Sequence, residues 1–137
     1  MEEIIISSFL LLLIDSIYLA NIGKPMFSKL VSKIQKEKLT TNLYGAIGSY
    51  LLLIVLINKF IITEKKSPFD AFLLGFCTYG VFDFTNYAIF KNYDMFTGLV
   101  DTLWGGLLFA LVTWLTYNIK SYFFKKKIKY MISSLSE

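Results

Sequence analysis

The 137-residue sequence contains no histidine and no arginine, one cysteine and two prolines. Without histidine, and with Cys77 as the lone thiol, a disulfide framework, a thiolate zinc site and a histidine-bound iron site are all excluded within one chain. No cofactor and no metal is therefore expected. Cys77 lies in an apolar stretch between Phe76 and Thr78 and reads as packing. The absence of arginine removes the planar fork that grips phosphates and base edges in pairs, so nucleic acid is not expected as a partner. A basic opening is missing too: the first hydrophobic run is preceded by Glu2 and Glu3 and lacks a small-residue cleavage site, so it is expected to stay as an anchor instead of leaving as a signal peptide.

Apolar surface is what the chain has in excess. Hydrophobic residues make up 55%, with 13 Phe and 9 Tyr, and the mean hydropathy is +0.58, which a soluble domain of this size would struggle to keep in solution. The expected setting is a lipid bilayer. All basic residues are lysines, and most fall in two clusters, Lys24 to Lys38 and Lys120 to Lys129, outside the apolar runs. With a net charge of +4 they predict contact with anionic lipid headgroups.

A helix needs about 17–25 mostly apolar residues to span the hydrocarbon core. Four windows qualify: 4–22, 43–62, 70–90 and 96–117, with a basic tail at 120–137. This predicts an all-α, integral membrane four-helix bundle forming a single domain over 1–137. Ser67 and Pro68 suit the start of the third helix, Thr97 suits the start of the fourth, and the short loop Lys91–Asn92–Tyr93–Asp94 predicts an antiparallel hairpin. After the first span, Pro25 opens a segment in which Met26, Phe27, Leu30, Val31 and Ile34 share one helical face and Ser28, Lys29, Ser32, Lys33 and Lys36 the other. That is the pattern of an interfacial amphipathic helix. An even number of spans puts both termini on one side. The lysine balance, eight on that side against six on the other, favours cytoplasmic termini.

Within the apolar windows stand three aspartates, Asp15, Asp83 and Asp101, and a carboxylate placed in a bilayer costs a few kcal/mol even on lenient scales, about 2.5–3.5. Helical spacing puts each on an inward stripe. The stripes are Ser8, Leu11, Asp15, Tyr18 and Ile22 on the first helix; Gly75, Tyr79, Asp83, Asn86 and Phe90 on the third; and Thr97, Asp101, Gly105, Leu108 and Val112 on the fourth, with Trp104 beside it. The second helix is expected to turn Tyr44, Ile47, Gly48, Leu51 and Val55 inward, with Gly48 admitting a close neighbour. Asp15 and Asp83 each lie seven residues before the end of their span, about 10 Å from one membrane face at 1.5 Å per residue, and Asp101 starts near that face. Three carboxylates are thus expected at similar depth, with Asn86, Tyr79, Tyr18 and Trp104 near enough to donate hydrogen bonds. No lysine lies at a helix centre to neutralise them, and like charges confined together disfavour joint ionisation, so a shared proton is expected. The competing reading is that the aspartates only tie helices together.

The run Gly75-Phe-Cys-Thr-Tyr79-Gly80-Val-Phe-Asp83-Phe-Thr85-Asn86-Tyr-Ala88, followed by Asp101-Thr-Leu-Trp104-Gly105, resembles the bacterial membrane family known as domain of unknown function 2177. Two motifs occur in order and at the family's separation, and the likeness extends more weakly to Asp15 and Tyr50. This chain has Tyr93-Asp94 where the family often has tryptophan-proline, and Tyr18 where a tryptophan commonly follows the first aspartate. The resemblance implies a fold and a site at Asp83, Thr85, Asn86, Asp101 and Trp104 without implying a reaction. Together with the inward stripes, the expected polar intramembrane site is Asp15, Tyr79, Asp83, Thr85, Asn86, Asp101, Trp104 and Gly105.

Three functions compete. A small proton- or cation-linked transporter or channel-like protein ranks first, as a homodimer because one bundle packed with aromatics has little room for an aqueous path. A noncatalytic membrane assembly or remodelling protein, working through the amphipathic segment and the lysine tail, ranks second. A lipid-modifying membrane enzyme, acting near the headgroup with Asp83 and Asp101 as acid and base, ranks last, since histidine, a thiol nucleophile and a nucleotide loop are all lacking.

Overall fold

The computed structural model describes residues 1–136. In chain order it contains α1 (Glu2–Tyr18), a π-helical turn (Leu19–Gly23), α2 (Lys24–Gln35), α3 (Leu43–Ile57), a second π-helical turn (Asn58–Ile62), α4 (Pro68–Ile89) and α5 (Met95–Leu135). The backbone stays helical through both wide turns. The chain therefore forms four rods: α1 with α2, α3 with its turn, α4, and α5, with no strand among the described residues. Three are long and apolar enough to cross a membrane, Glu2–Gln35, Leu43–Ile62 and Met95–Leu135. The fourth, α4, has 22 residues but carries Asp70, Asp83 and Asn86, which dilute its hydropathy.

Local chemistry explains where the rods start. Asn42 accepts a hydrogen bond from the Gly45 amide at 3.1 Å, closing the first turn of α3. Ser67 and Asp70 form a reciprocal capping box around Pro68, which needs no amide partner in the first turn. At α5 the cap is Asp94, which accepts from the Thr97 amide at 3.2 Å and the Thr97 hydroxyl at 2.6 Å. The helix starts at Met95, two residues before the Thr97 start expected from sequence. Asn92, at φ 68°, makes the tight reversal between α4 and α5 in a region that asparagine tolerates.

The amphipathic segment is present as α2. Leu30 is buried, Met26, Phe27, Val31 and Ile34 are half-buried, and Lys29 and Lys33 are exposed. It is not a separate element opened at Pro25. The π turn carries the helix directly into it, and Pro25 sits in its first turn where a missing N–H is tolerated. The last helix also outruns its predicted end by 18 residues, to Leu135 rather than 117. No glycine or proline follows Gly106, so nothing in the lysine-rich tail interrupts it.

The α4–α5 hairpin is the tightest pairing, and α1 packs against α5. Small residues set the approach of α4 to α5. A Cβ built on Gly75 would stand 2.8 Å from the Gly105 carbonyl carbon and 2.9 Å from Phe109 Cβ, so the backbones meet where only hydrogen fits. Around this contact lies the core, Leu11, Ile57, Ile61, Ile62, Ala71, Leu108, Phe109 and Val112. The predicted inward stripe of the last helix is buried throughout, at Thr97, Asp101, Gly105, Leu108 and Val112. On α1, Leu11, Asp15 and Tyr18 are buried, Ser8 is half-buried, and Ile22 is exposed.

The expected face of α3 is overturned. Tyr44, Ile47, Leu51 and Val55 are exposed, and nothing lies within 4 Å of a Cβ on Gly48. The inward residues are instead Tyr50, Leu53, Ile54, Ile57, Asn58 and Ile61. The apolar content of α3 is so uniform that periodicity could not choose a face; polar contacts did. Asn58, in the π turn, accepts from the Ser7 hydroxyl at 2.6 Å and donates to Ser8 Oγ at 3.2 Å. Burial in α3 is concentrated at this end, and its first residues, Leu43 to Gly45, are exposed. At the same end of the bundle Glu3 pairs with Lys65 at 2.9 Å and Lys120 at 2.6 Å, joining the start of α1, the α3–α4 loop and α5.

Candidate functional site

All three aspartates are buried, at 5%, 0% and 7% exposure for Asp15, Asp83 and Asp101. No lysine is buried with them among the described residues. The carboxylates are stabilised instead by hydroxyl and indole donors. Asp15 accepts from Tyr50 Oη at 2.6 Å and from Trp104 Nε1 at 2.8 Å, which ties α1 to α3 and α5 through one side chain. Asp83 accepts from Tyr93 Oη at 2.7 Å and Thr102 Oγ1 at 3.0 Å, which ties α4 to the hairpin loop and α5. These short bonds to charged or shareable oxygens are the stronger class of hydrogen bond.

Asp101 differs. It lies within hydrogen-bond reach of Asp83 and has no hydroxyl or amide donor of its own. Two carboxyl groups can hydrogen-bond only when one of them carries a proton, since an ionised carboxylate has acceptors alone. Asp15 is close enough to Asp101 to act on it through charge but does not join the pair. Among the described residues no three carboxylates or thiols gather as a metal-chelating group.

Packing explains this geometry. Gly105 faces the Tyr79 ring, so near that any side chain there would displace the tyrosine. Gly98 leaves room for Asp83 and Tyr93, with Asp83 Cβ 3.4 Å from where a Cβ would stand. Trp104 is held by its stack on Tyr18, with ring centroids 4.2 Å apart and planes 9° from parallel. That stack aims the indole N–H at Asp15. Tyr18 itself is 6% exposed, and its hydroxyl has no hydrogen-bond partner.

Beside these groups a cleft of about 540 Å³ runs along the bundle between α3 and α4. Asp15, Tyr18, Tyr50, Tyr79 and Asp101 line its inner end, and Leu53, Leu56 and Phe82 are among its apolar walls. It is open because α3 packs on α1 and makes few contacts with α4 or α5.

The residues expected at a polar site are thus distributed as follows. Asp15, Asp83, Asp101 and Trp104 come together as buried polar groups, and Gly105 and Tyr79 form the packing contact beneath them. Of the four expected donors, only Trp104 donates to an aspartate. Tyr79 and Tyr18 present rings to neighbours instead of hydroxyls to carboxylates. Asn86 is half-buried beside Tyr93, and Thr85 is exposed on the far side of α4, one residue off the stripe. Residue-level reasoning missed Tyr50, Tyr93 and Thr102 as the main donors. A tyrosine within an apolar helix was the available signal, because its hydroxyl needs a partner when buried. Thr102 gave none.

The family model described as predicted membrane protein (DUF2177) matches residues 2–118. No curated protein and no solved structure matches the chain. The matched region contains all three aspartates and every donor to them, and ends before most of the lysine tail. This chain belongs to the DUF2177 family of predicted membrane proteins.

Proposed function

We propose that the protein is a four-pass membrane transporter in which Asp83 and Asp101 share a transferable proton and Asp101 meets the solute. The observation that carries this reading is the asymmetry of the three carboxylates. Asp15 and Asp83 each take two donors, as structural ties do, whereas Asp101 has none besides Asp83 and lines an open cleft. Ionisable groups kept inside a membrane without a paired cation mark proton or ion pathways. In this reading α4 is the span of lowest hydropathy; it turns Gly75, Gly80 and Asp83 into the contact with α5 and leaves Phe82, Phe84 and Tyr87 exposed toward lipid. The lack of a three-carboxylate chelate among the described residues favours proton linkage over binding of a bare metal ion. The lysines of α2 and of the tail would rest on anionic headgroups.

The test is flux through proteoliposomes of purified protein across protons, alkali and divalent cations and small metabolites, with Asp83→Asn and Asp101→Asn compared at matched folding. Flux in the wild type that is lost in Asp101→Asn supports the reading. Absence of flux for every solute, with both variants merely less stable, overturns it. A second reading, membrane assembly, is favoured by the helical tail, whose Tyr122, Phe123, Phe124, Tyr130, Met131 and Ile132 are all exposed. Removing residues 125–137 would then abolish activity in cells while the aspartate variants affect stability alone.

A further inference from the structure

We propose that the cleft between α3 and α4 binds a lipophilic amine, its apolar body between the two helices and its ammonium group against Asp101 and Tyr18. This deepens the transport reading and rests on Asp101 being the group that meets the solute.

Three observations select this ligand class. The first is the chemistry of the cleft's inner end. It carries two carboxyl groups, Asp15 and Asp101, and no lysine, which repels anions and gives a neutral headgroup no charge to match. The second is the Tyr18 hydroxyl. Tyr18 is one of the residues lining the cleft and is more than nine-tenths buried, and its hydroxyl, just beneath the cleft surface, lacks any partner, an arrangement that costs free energy until a small side-chain shift lets a ligand supply one. An ammonium has three N–H donors to distribute. Asp101 and Tyr18 Oη take two of them as acceptors, and the electron-rich faces of aromatic rings such as Tyr79 favour a nearby cation. The third is the wall. Leu19, Ala46, Leu52, Leu53, Leu56 and Phe82 offer only apolar contact, and the volume of about 540 Å³ suits a small molecule rather than a protein segment. The cleft faces the side of the bundle, so a ligand dissolved in the bilayer enters it without crossing water.

The experiment measures equilibrium binding of radiolabelled dodecylamine to the full chain in nanodiscs, with protein-free nanodiscs subtracted for partitioning. Dodecanol serves as the uncharged comparison, and Asp70→Asn, an exposed cap remote from the cleft, as the control variant. Saturable amine binding is expected, with dodecanol and Asp101→Asn each weaker by about tenfold or more, as loss of a charge-assisted hydrogen bond implies. Leu53→Trp should block binding by filling the wall. Tyr18→Phe is the sharper variant: affinity falls about threefold or more while the unfolding midpoint is unchanged or rises, because the hydroxyl removed had no partner in the free protein.

No saturable binding above protein-free discs overturns the proposal, as does dodecanol binding as tightly as the amine. Unchanged amine affinity in both Asp101→Asn and Tyr18→Phe overturns it also. The two readings fail separately. Amine binding without any flux sinks transport and leaves the cleft assignment intact, whereas flux without amine binding does the reverse.

Discussion

Replacing Gly75 by alanine adds one methyl group at the tightest point of the structure, the crossing of α4 and α5. The new carbon would stand 2.8 Å from the Gly105 carbonyl carbon and 2.9 Å from Phe109 Cβ. Carbon atoms settle at about 3.5–4.0 Å, and the Gly105 carbonyl oxygen lies nearer still, so α4 must withdraw by at least about 0.7 Å. Neither obstacle can swing aside, because one is backbone and the other is the root of a buried side chain. Overpacking of this kind costs about 1–3 kcal/mol, and the backbone clash points to the upper end. Withdrawal also stretches the Asp83–Thr102 hydrogen bond, 3.0 Å long and two helical turns away. At about 3 °C per kcal/mol for a chain of this size, the apparent midpoint falls by roughly 6–9 °C. Gly48→Ala is the matched control. Its added carbon meets nothing within 4 Å, and alanine is the better helix former, so no loss is expected. Thermal unfolding in one detergent, followed by circular dichroism, compares the pair. A Gly75→Ala midpoint equal to wild type, or an equal loss in Gly48→Ala, would refute the close crossing and with it the placement of Asp83 beside Asp101.

Two further predictions concern the ties around the site. Asp15→Leu strands the Tyr50 hydroxyl and the Trp104 indole N–H, at about 1–3 kcal/mol for each buried orphan, whereas Tyr50→Phe alone removes one donor and costs about 1 kcal/mol. A double-mutant cycle in detergent titration should therefore show the Tyr50→Phe cost vanish in the Asp15→Leu background, and additive effects would rule out the contact. At the start of α5, Asp94→Ala should cost about 1 kcal/mol at neutral pH through loss of the cap. The Thr97 hydroxyl, and secondarily the Thr97 amide, hold the Asp94 carboxyl below its ordinary range. A carboxyl lowered on folding contributes stability above its unfolded value and loses it as pH falls through the folded one, so the difference between wild type and Asp94→Ala should shrink below about pH 4. A difference that persists unchanged to pH 2 would contradict this account.

The wide windows of apolar residues and the cap at Ser67 and Pro68 were legible because they depend on neighbours in the chain, whereas the caps at Asn42 and Asp94 were not read. Ser67, Pro68 and Asp70 act within one turn, and the stripe through Asp101, Gly105 and Leu108 repeats at the helical period whatever surrounds it. The extension of α5 to Leu135 was harder to see, since charge suggested a tail where only the absence of glycine and proline mattered. The face of α3 could not be read at all: with apolar residues on every side, its rotation was fixed by the Asn58–Ser7 and Tyr50–Asp15 bonds, both made to a partner more than thirty residues away.

The same division runs through the site. Sequence alone determined that three carboxylates would be buried without a basic partner, because an apolar helix of fixed period has nowhere else to turn them. Which of them would be satisfied was decided only by tertiary structure. Thr102 and Tyr93 reach Asp83 because Gly75 and Gly98 let α4, the loop and α5 approach closely, and Trp104 reaches Asp15 because Tyr18 holds its ring. Asp101 is left with a carboxyl neighbour and an open cleft because α3 packs on α1 and makes few contacts with α4 or α5. Spacing fixes the direction of a side chain from its own helix, whereas the donor it meets depends on the rotation and placement of another.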